Sequence, residues 1–513
     1  MKKRTIIAII FSVLPGFPVS LHAGTETAKK DSIYLLQRLL ENQSVYAEFF
    51  TLPYGNPAMK YRMYDHTLNE ISAGGEYRRE SEPLIMQTGD GHRYGMVDVK
   101  SFICKDRSNM WGEANYRNGR QMNLKWNETS DYLLLYPYVT GDTVGGDLKS
   151  EQYRFNGGYT ARTGRFIWGA DASYRATVGY RQTDPRPRNI TGKLDFTLGL
   201  ALITPGRYRP GISIHASKYK QKNIIKFYNQ QGNITLYHFT GLGTDYYRFR
   251  GDEKETYYKG RQFGAGIDLL PENGNGFTAA ISVDHFRFEK IISALNELPM
   301  ARADEYTWKA ETGYKQKSHH QAWGVKAEWT GIHRKGTENL FGDPVNGIYP
   351  QITSAQQYSN KRMEGSLSGF YENTGSDGFS WAVRPVAGFC HIKTRYIYPA
   401  RRLENKRLRA ALSLQAGKQT GKWLLRVNAT VCYDAALAAR LHLPENADEK
   451  NLVPLINSYR FLESDHTLLQ TGLRSDYALG SRWALYISTR WQHGWYTGQT
   501  RTDHISAVIG VAF

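Results

Sequence analysis

The chain has 513 residues, of which 41% are hydrophobic and 13% aromatic, and its mean hydropathy is −0.55. These values exclude a polytopic helical membrane protein, and the aromatic content excludes a disordered chain. The formal net charge is +18, which fits nucleic acid, an anionic membrane surface or an anionic solute as a partner.

The N-terminus predicts export. Residues 2–4 are basic, residues 5–14 are apolar, and residues 20–23 form a cleavage site before Gly24. This is the pattern of a secretory signal peptide over residues 1–23. Export argues against nucleic acid as the partner of the positive charge.

Residues 31–42 predict a short helix, with Asp31 as its N-cap and Ile33, Leu36, Leu39 and Leu40 on one stripe. We therefore assign residues 24–68 to an N-terminal helical segment and a possible periplasmic plug. From residue 69 to residue 513 the helical period gives way to a period of two.

Long amphipathic strands dominate this second region. In 165–181 every even position, from Phe166 to Tyr180, is apolar or aromatic. The segments 189–203, 421–434 and 482–496 alternate in the same way. These strands run 10–16 residues, and aromatic residues such as Trp483 and Trp495 lie near the ends of the apolar faces. Such strands are typical of an all-β fold, a transmembrane antiparallel β-barrel.

Turn signals set the number of strands. Long connections are predicted near 129–150, 222–258, 338–359 and 436–464. The short connections that we predict are Asn118-Gly119, Thr163-Gly164, Pro205-Gly206, 273–276, 375–378, Thr420-Gly421 and Gly480-Ser481. Nineteen segments result, but bacterial barrels have even numbers, so we predict about 18 strands with a range of 14–20. The surplus segment is expected between residues 60 and 150.

The last strand, residues 503–513, carries Ile505, Ala507, Ile509, Val511 and the terminal Phe513 on one face. It resembles the C-terminal signal that the outer-membrane assembly machinery reads. The predicted location is the outer membrane of a diderm bacterium. The predicted partners are this machinery, outer-membrane lipid and lipopolysaccharide, and a possible periplasmic or surface protein.

Basic side chains are predicted to line the lumen. Charge rings set ion selectivity in a pore, and arginine and lysine favour anions. A solvated or salt-bridged interior without conduction is the alternative. The lumen-lining candidates are Arg165, Arg175, Arg181, Lys193, Arg409, Arg426 and Arg490.

Two loops supply further candidates. Arg186 and Arg188 lie in a proline-rich stretch that predicts a constriction or a contact with lipopolysaccharide phosphate, or else a loop paired internally through Asp184. The segment 241–250 either binds a ligand or packs against the rim of the barrel. Its candidate residues are Tyr246, Tyr247, Arg248 and Arg250.

Signals for catalysis and cofactors are weak. Cys104, Cys390 and Cys432 are widely spaced and form no zinc or disulfide pattern, and no HExxH or GxSxG motif occurs. His504 and Ser506 share a face without an identifiable orienting acid. We therefore expect no enzyme, metal or cofactor.

Two resemblances add to this interpretation. Asn56-Pro57-Ala58 resembles a signature of the long-chain fatty acid transporter superfamily, which implies a plug at residues 24–58 and a hydrophobic substrate. Blocks over 111–299 look like an uncharacterised outer-membrane β-barrel family of Bacteroidota, a domain of unknown function, which implies fold and location. These blocks are WGEANYRNGR (111–120), 131–148, 151–159, 173–189, 218–223, 240–251 and 295–299.

The sequence thus predicts passive or gated passage of a small solute across the outer membrane. The alternative is a non-transporting scaffold that holds a secreted or surface partner through loops 222–258, 338–359 and 436–464. The lumen distinguishes them, because a continuous water path favours passage and a filled lumen favours a scaffold.

Overall fold

The structure is a computed structural model that describes residues 28–229, 234–251, 255–375, 377–445 and 449–513. The predicted signal peptide lies outside these residues. Eighteen strands form one closed antiparallel barrel, and the ring closes where β1 pairs with β18, from Glu70 opposite Ala512 to Glu80 opposite Thr502. The predicted fold class and strand number are confirmed.

The strands have the following bounds: β1 Leu68–Glu80, β2 Gly91–Lys105, β3 Ser108–Leu124, β4 Gly146–Thr163, β5 Phe166–Tyr180, β6 Arg186–Leu202, β7 Tyr208–Lys226, β8 Glu255–Pro271, β9 Gly276–Ile292, β10 Leu298–Lys317, β11 Gln321–Phe341, β12 Gln351–Thr374, β13 Phe379–Tyr396, β14 Arg401–Thr420, β15 Trp423–His442, β16 His466–Ala478, β17 Ala484–Tyr496 and β18 Arg501–Ala512.

The barrel is apolar outside and polar inside. On β6 the outward side chains Phe196 and Leu198 are 45% and 42% exposed, whereas Lys193 and Asp195 face the lumen and pair with each other at 3.0 Å. Exposed aliphatic and aromatic side chains continue around the outside of the other strands, as expected where strands meet hydrocarbon. We call this outer surface the apolar belt. None of the described helices is long and apolar enough to cross a membrane.

The connections differ between the two ends. At one end, the short-turn end, they comprise two to five residues, such as 106–107, 164–165 and 421–422. At the other end, the long-loop end, they include 81–90, 125–145, 227–254 and 443–465. The predicted loop 338–359 is shorter than expected and spans 342–350, because β11 and β12 extend far beyond the belt.

Two local predictions are wrong. Asn118-Gly119 is not a hairpin turn but lies inside β3, where Gly119 faces the Tyr94 ring on β2 and pairs in register with it. The turn between β2 and β3 is Asp106-Arg107 instead. Asp31 is not an N-cap, because the described helix already includes Ala28.

Helices and short turns lie within the ends of the barrel. Residues 28–67, which we call the N-terminal segment, contain α1 (Ala28–Asn42), α2 (Val45–Glu48) and 3₁₀ turns at Leu52–Gly55 and Pro57–Lys60. The long-loop end contains α3 (Tyr132–Leu135), α4 (Glu449–Leu462) and 3₁₀ turns at Met86–Thr88, Tyr247–Phe249 and Ser293–Leu295. A separate three-stranded sheet there joins Thr140–Gly141, Tyr237–Gly241 and Thr244–Asp245.

Candidate functional site: a barrel lumen closed at both ends

The N-terminal segment is anchored to the wall by its first helix. Leu35, Leu36 and Leu39 of α1 are buried against a cluster of wall side chains that includes Leu424. The Arg426 guanidinium donates a hydrogen bond to the Leu39 carbonyl at 3.2 Å and pairs with Asp476 at 3.0 Å. The helix is thus held at the short-turn end by apolar packing and by one charged wall residue.

The next part of the segment packs on the opposite wall. Phe49 and Phe50 are buried against Phe370, and the Glu311 carboxylate accepts the backbone N–H of Thr51 at 3.1 Å. Glu311 also pairs with Lys326 at 3.2 Å, and both side chains are 2% exposed. A buried ion pair that lost either partner would leave an uncompensated charge, so this contact fixes the segment in position.

Asn56-Pro57-Ala58 lies against the wall at its closest approach. The buried Asn56 amide donates to the Asp268 carboxylate at 2.9 Å, while its oxygen accepts the Ala58 N–H at 3.0 Å. The facing wall positions are Gly169, Gly199 and Gly211, where a Cβ would overlap this stretch of the segment. Glycine is required here because side chains would prevent the close approach.

The segment then returns toward β1. Lys60 lies 3.8 Å from Asp171 and 4.4 Å from the centre of the Trp111 ring. Burial lowers the pKa of Lys60, although Asp171 and Glu113 oppose the shift. The segment therefore follows most of the inner circumference, and a cavity of about 620 Å³ remains between it and wall residues that include Arg474 and Arg490.

The long-loop end is closed by residues 125–145, the inner loop, which folds into the lumen. The Arg175 guanidinium donates two hydrogen bonds to the Asp131 carboxylate, at 2.9 and 2.7 Å, and the Tyr219 hydroxyl donates a third at 2.9 Å. Charge-assisted bidentate pairs are among the stronger hydrogen bonds in proteins. Asp131 is thus a main attachment of the inner loop to β5 and β7.

A second attachment lies next to the first. Glu128 of the inner loop pairs with Arg181 at 2.7 Å, and both side chains are buried. The amides of Asn189 and Asn223 donate to the Glu128 carbonyl at 2.8 and 2.6 Å. Burial and the nearby Asp142 raise the pKa of the Glu128 carboxyl, and Arg181 opposes them.

The inner loop also reaches the far wall. The buried Lys290 ammonium on β9 donates to the Val139 carbonyl at 2.8 Å, and Arg334 on β11 donates to the Tyr136 carbonyl while pairing with Glu305 at 2.7 Å. Aromatic side chains fill the space between these bonds. This cluster includes Trp126, Tyr132, Tyr138, Tyr219, Phe239, Tyr258, Phe286 and Phe288.

Residues 234–251, the long loop, complete the closure together with α4. The Arg401 guanidinium donates to the Leu242 carbonyl at 2.7 Å, and Thr240 donates to the Tyr396 hydroxyl at 3.2 Å. Asn451 at the start of α4 donates to Asp245 of the long loop at 2.7 Å. We call the inner loop, the long loop and α4 together the outer closure.

A cavity of about 690 Å³ lies between the outer closure and the wall of β10–β16. Its apolar side is aromatic, with Tyr132, Tyr136, Tyr358 and Phe461. Its polar side carries paired charges: Arg409 contacts Asp434 at 2.9 Å, and Arg362 donates to Glu364 at 2.9 Å. A cavity of this kind fits a small solute with both polar groups and an apolar face.

The predicted lumen residues lie at separate places in the structure. Arg175 and Arg181 hold the outer closure, and Arg426 holds the N-terminal segment. Arg490 lines the cavity of about 620 Å³ beside the N-terminal segment, which we call the lower cavity. Lys193 and Arg409 are ion-paired wall residues. Arg165, however, lies exposed in the turn between β4 and β5, one residue before the strand that would have aimed it inward.

The loop candidates also separate. Arg186 pairs with Asp184 at 2.6 Å and lies over the Tyr228 ring, whereas Arg188 is exposed on the outer face. In the long loop, the Tyr246 hydroxyl donates to the Asn339 carbonyl at 2.6 Å, and Tyr247 is 78% exposed. Arg248 pairs with Asp343 at 3.1 Å and Arg250 with Asp245 at 2.7 Å, so both contribute to holding the loop.

Sequence reasoning missed three residues of these contacts, two in the inner loop and one on the wall strand β9. Glu128, Asp131 and Lys290 attach the inner loop, yet none was a candidate. Glu128 and Asp131 could have been found from their position beside the apolar run 132–139, because carboxylates next to a buried loop require cationic partners.

One described cluster has side chains of the types that ligate metals. Glu76, His92 and His504 place one potential ligand atom each within 4.8 Å of one another in the lumen. The Arg117 guanidinium already contacts Glu76. A cation at this distance opposes the binding of a metal ion.

Comparisons with solved structures return outer-membrane proteins at low identity. A ferric enterobactin receptor (PfeA) mutant from Pseudomonas aeruginosa is 8% identical, with 87% of this chain and 81% of that chain covered and a TM-score of 0.37. BauA, the ferric preacinetobactin receptor from Acinetobacter baumannii, is 9% identical, with coverage of 87% and 80% and a TM-score of 0.40. The copper transporter OprC is 8% identical, with coverage of 85% and 62% and a TM-score of 0.42.

At these identities and TM-scores, the likenesses say nothing about function. No curated protein matches the chain. A family model does match residues 57–513, and the chain therefore belongs to the family of unknown function DUF6850.

Proposed function

We propose that the protein is a gated outer-membrane barrel that passes a small polar solute, with the outer closure as its gate. The observation that carries the proposal is the construction of this closure. It is attached to the wall at separate points, by the Arg175–Asp131, Arg181–Glu128 and Lys290–Val139 contacts. Such contacts can be broken without disturbing the hydrogen-bonded barrel.

The location follows from the same physics. A closed barrel satisfies every backbone hydrogen bond among its strands, and the apolar belt matches hydrocarbon. The long-loop end would face outside and the N-terminal segment would face the periplasm. The outer closure is then the part whose movement limits passage, because the N-terminal segment lies along the wall and leaves a cavity of about 620 Å³ beside it.

The charged lining of the lower cavity supports a polar solute rather than a lipid. The lower cavity is bordered by Lys60, Lys100, Arg474 and Arg490 as well as by acids such as Glu70. Paired charges along a path provide alternating partners and reduce the desolvation cost of a charged solute. The excess of basic side chains favours anions.

Proteoliposome swelling tests this function. Gluconate, glucose and glucosamine have similar sizes and differ in charge. We expect little flux through the wild type and faster flux of all three, gluconate most, through Asp131→Asn. The Asp195→Asn variant, which alters a lumen carboxylate outside the closure, is the matched control. Equal flux through folded wild type and Asp131→Asn would reject the gate.

A non-transporting scaffold is the second candidate. The observation that favours it is that both ends of the lumen are occupied, by the N-terminal segment and by the outer closure. A scaffold would keep its lumen filled while its external loops bind a partner. It predicts no flux even after Asp131→Asn, and it therefore makes the opposite forecast in the same experiment.

A further inference from the structure

The outer surface changes character at one level on the long-loop side of the barrel. On β13 the outward side chains run Trp381, Val383, Pro385, Ala387 and Phe389, and then His391, Lys393 and Arg395. Toward the long-loop end of β12, Leu367 and Met363 are followed by Lys361. Toward the same end of β11, Trp329 is followed by His333 and Lys335. The apolar belt therefore ends in basic side chains on consecutive strands.

The strand register joins these side chains into one surface. Lys218 is paired with Arg261, which is paired with Arg287 on the next strand. Lys361 is paired with Lys393, and Arg395 with Arg402. Like charges directly opposite each other destabilise a sheet, and an anionic partner would relieve this repulsion. We call the following set the basic belt: Lys218, Arg261, Arg287, Lys335, Lys361, Lys393, Arg395 and Arg402.

Acidic side chains compensate the belt only in part. Asp304 is shared by Arg287 at 2.6 Å, Arg302 at 3.2 Å and His285 at 3.0 Å. Glu404 pairs with Arg402 at 2.6 Å. Within the described parts of the chain, Lys335, Lys361, Lys393 and Arg395 form no ion pair. A strongly positive, solvent-facing surface remains.

We propose that the basic belt binds the phosphate groups of a multiply acylated, phosphorylated glycolipid in the outer leaflet. Its acyl chains would lie along the apolar belt, next to Phe389 and Met363, which are 47% and 45% exposed. Phosphate at the level where hydrocarbon ends would meet the basic side chains directly, and guanidinium groups suit phosphate oxygens. The inference rests on the proposed outer-membrane location and is independent of transport.

Lipid titration of the delipidated full-length protein in detergent, read by native mass spectrometry, tests this proposal. The probes are diphosphorylated lipid A, its dephosphorylated form and phosphatidylglycerol. The test variant is Lys335→Gln/Lys361→Gln/Lys393→Gln. The control variant Arg165→Gln/Lys422→Gln/Arg482→Gln removes the same charge from exposed positions in the short turns. A Lys→Arg version of the test variant preserves charge.

We expect diphosphorylated lipid A to bind the wild type, the control and the Lys→Arg variant alike, and the test variant about tenfold or more weakly. Dephosphorylated lipid A should bind the wild type as weakly as the test variant binds the phosphorylated form. Heat-modifiable migration on gels confirms that each variant is folded. Unchanged affinity of the folded test variant, or equal loss in the control, would overturn the proposal. Equally tight binding of phosphatidylglycerol would overturn the assignment to a glycolipid.

Discussion

Arg175 on β5 and Asp131 of the inner loop form a bidentate ion pair, with N–O distances of 2.9 and 2.7 Å, in the lumen of the barrel. Arg175 belongs to the wall and Asp131 to a loop that crosses the opening. The pair therefore connects the rigid barrel to the part of the molecule that would move.

Arg175→Gln should loosen the inner loop. The substitution leaves Asp131 with the Tyr219 hydroxyl as its remaining strong partner, and it should cost the closed state about 2 kcal/mol. Hydrogen exchange of residues 125–145 measures this effect. Lys193→Gln is the control, since Lys193 is a half-buried wall residue opposite Arg175 whose ion pair is with Asp195 of its own strand. Equal exchange in both variants would refute a latch at Arg175.

Gly199→Val should displace the N-terminal segment from the wall. A Cβ at Gly199 would overlap the Asn56 side chain, and the valine methyl groups add to this overlap. We expect faster proteolysis within residues 50–60, with heat-modifiable migration of the barrel unchanged. Gly206→Val is the control, because Gly206 lies in an open turn. Wild-type protection in Gly199→Val would show that the segment does not depend on this contact.

Acid should open the outer closure through His238. Burial and the nearby Lys290 hold the pKa of His238 well below its usual value of 6.5. The closed state thus binds this proton less readily than an open, solvated state does. The contribution of His238 to the stability of the closed state is fully present above pH 6.5. It falls by at most about 1.4 kcal/mol per pH unit as the pH decreases toward the lowered pKa.

Flux measured between pH 7.5 and 5 tests that prediction. Flux should rise as pH falls in the wild type and should be less dependent on pH in His238→Gln. His319→Gln, which alters an exposed turn residue, should behave as the wild type. Flux that increases toward alkaline pH would contradict the assigned sign.

Arg409→Glu should reverse the charge preference of an opened barrel. The Arg409 side chain is 59% exposed and lines the cavity of about 690 Å³ between the outer closure and the wall, although it also pairs with Asp434. In an Arg175→Gln background we expect a several-fold shift of the permeability ratio toward cations. Reversal potentials under a salt gradient measure it. Arg482→Glu, in a short turn at the opposite end, should have a smaller effect, and equal shifts would exclude Arg409 from the path.

The sequence predicts the barrel well because a two-residue period is local and repeats over many strands. The turn predicted at Asn118-Gly119 is wrong because β3 continues through these two residues, and pairing with the neighbouring strands outweighs the local turn preference. Apart from Arg165, which lies in a turn, the lumen arginines could be predicted to face inward from alternation alone. Their partners could not, because Asp131 and Glu128 lie in a loop whose path depends on contacts with β5, β7 and β9. The sequence shows that Arg175 is a charged residue facing the lumen. Its role in holding Asp131 is visible only once the inner loop is folded.

Single-channel recording in planar bilayers tests the central claim most directly. The informative comparison is between the wild type and a variant of equal length in which residues 128–139 are replaced by glycine and serine. The account predicts rare openings in the wild type and frequent, anion-selective conductance steps in the variant. Steady open conductance in the wild type, or silence of the folded variant, would contradict a barrel gated by its inner loop.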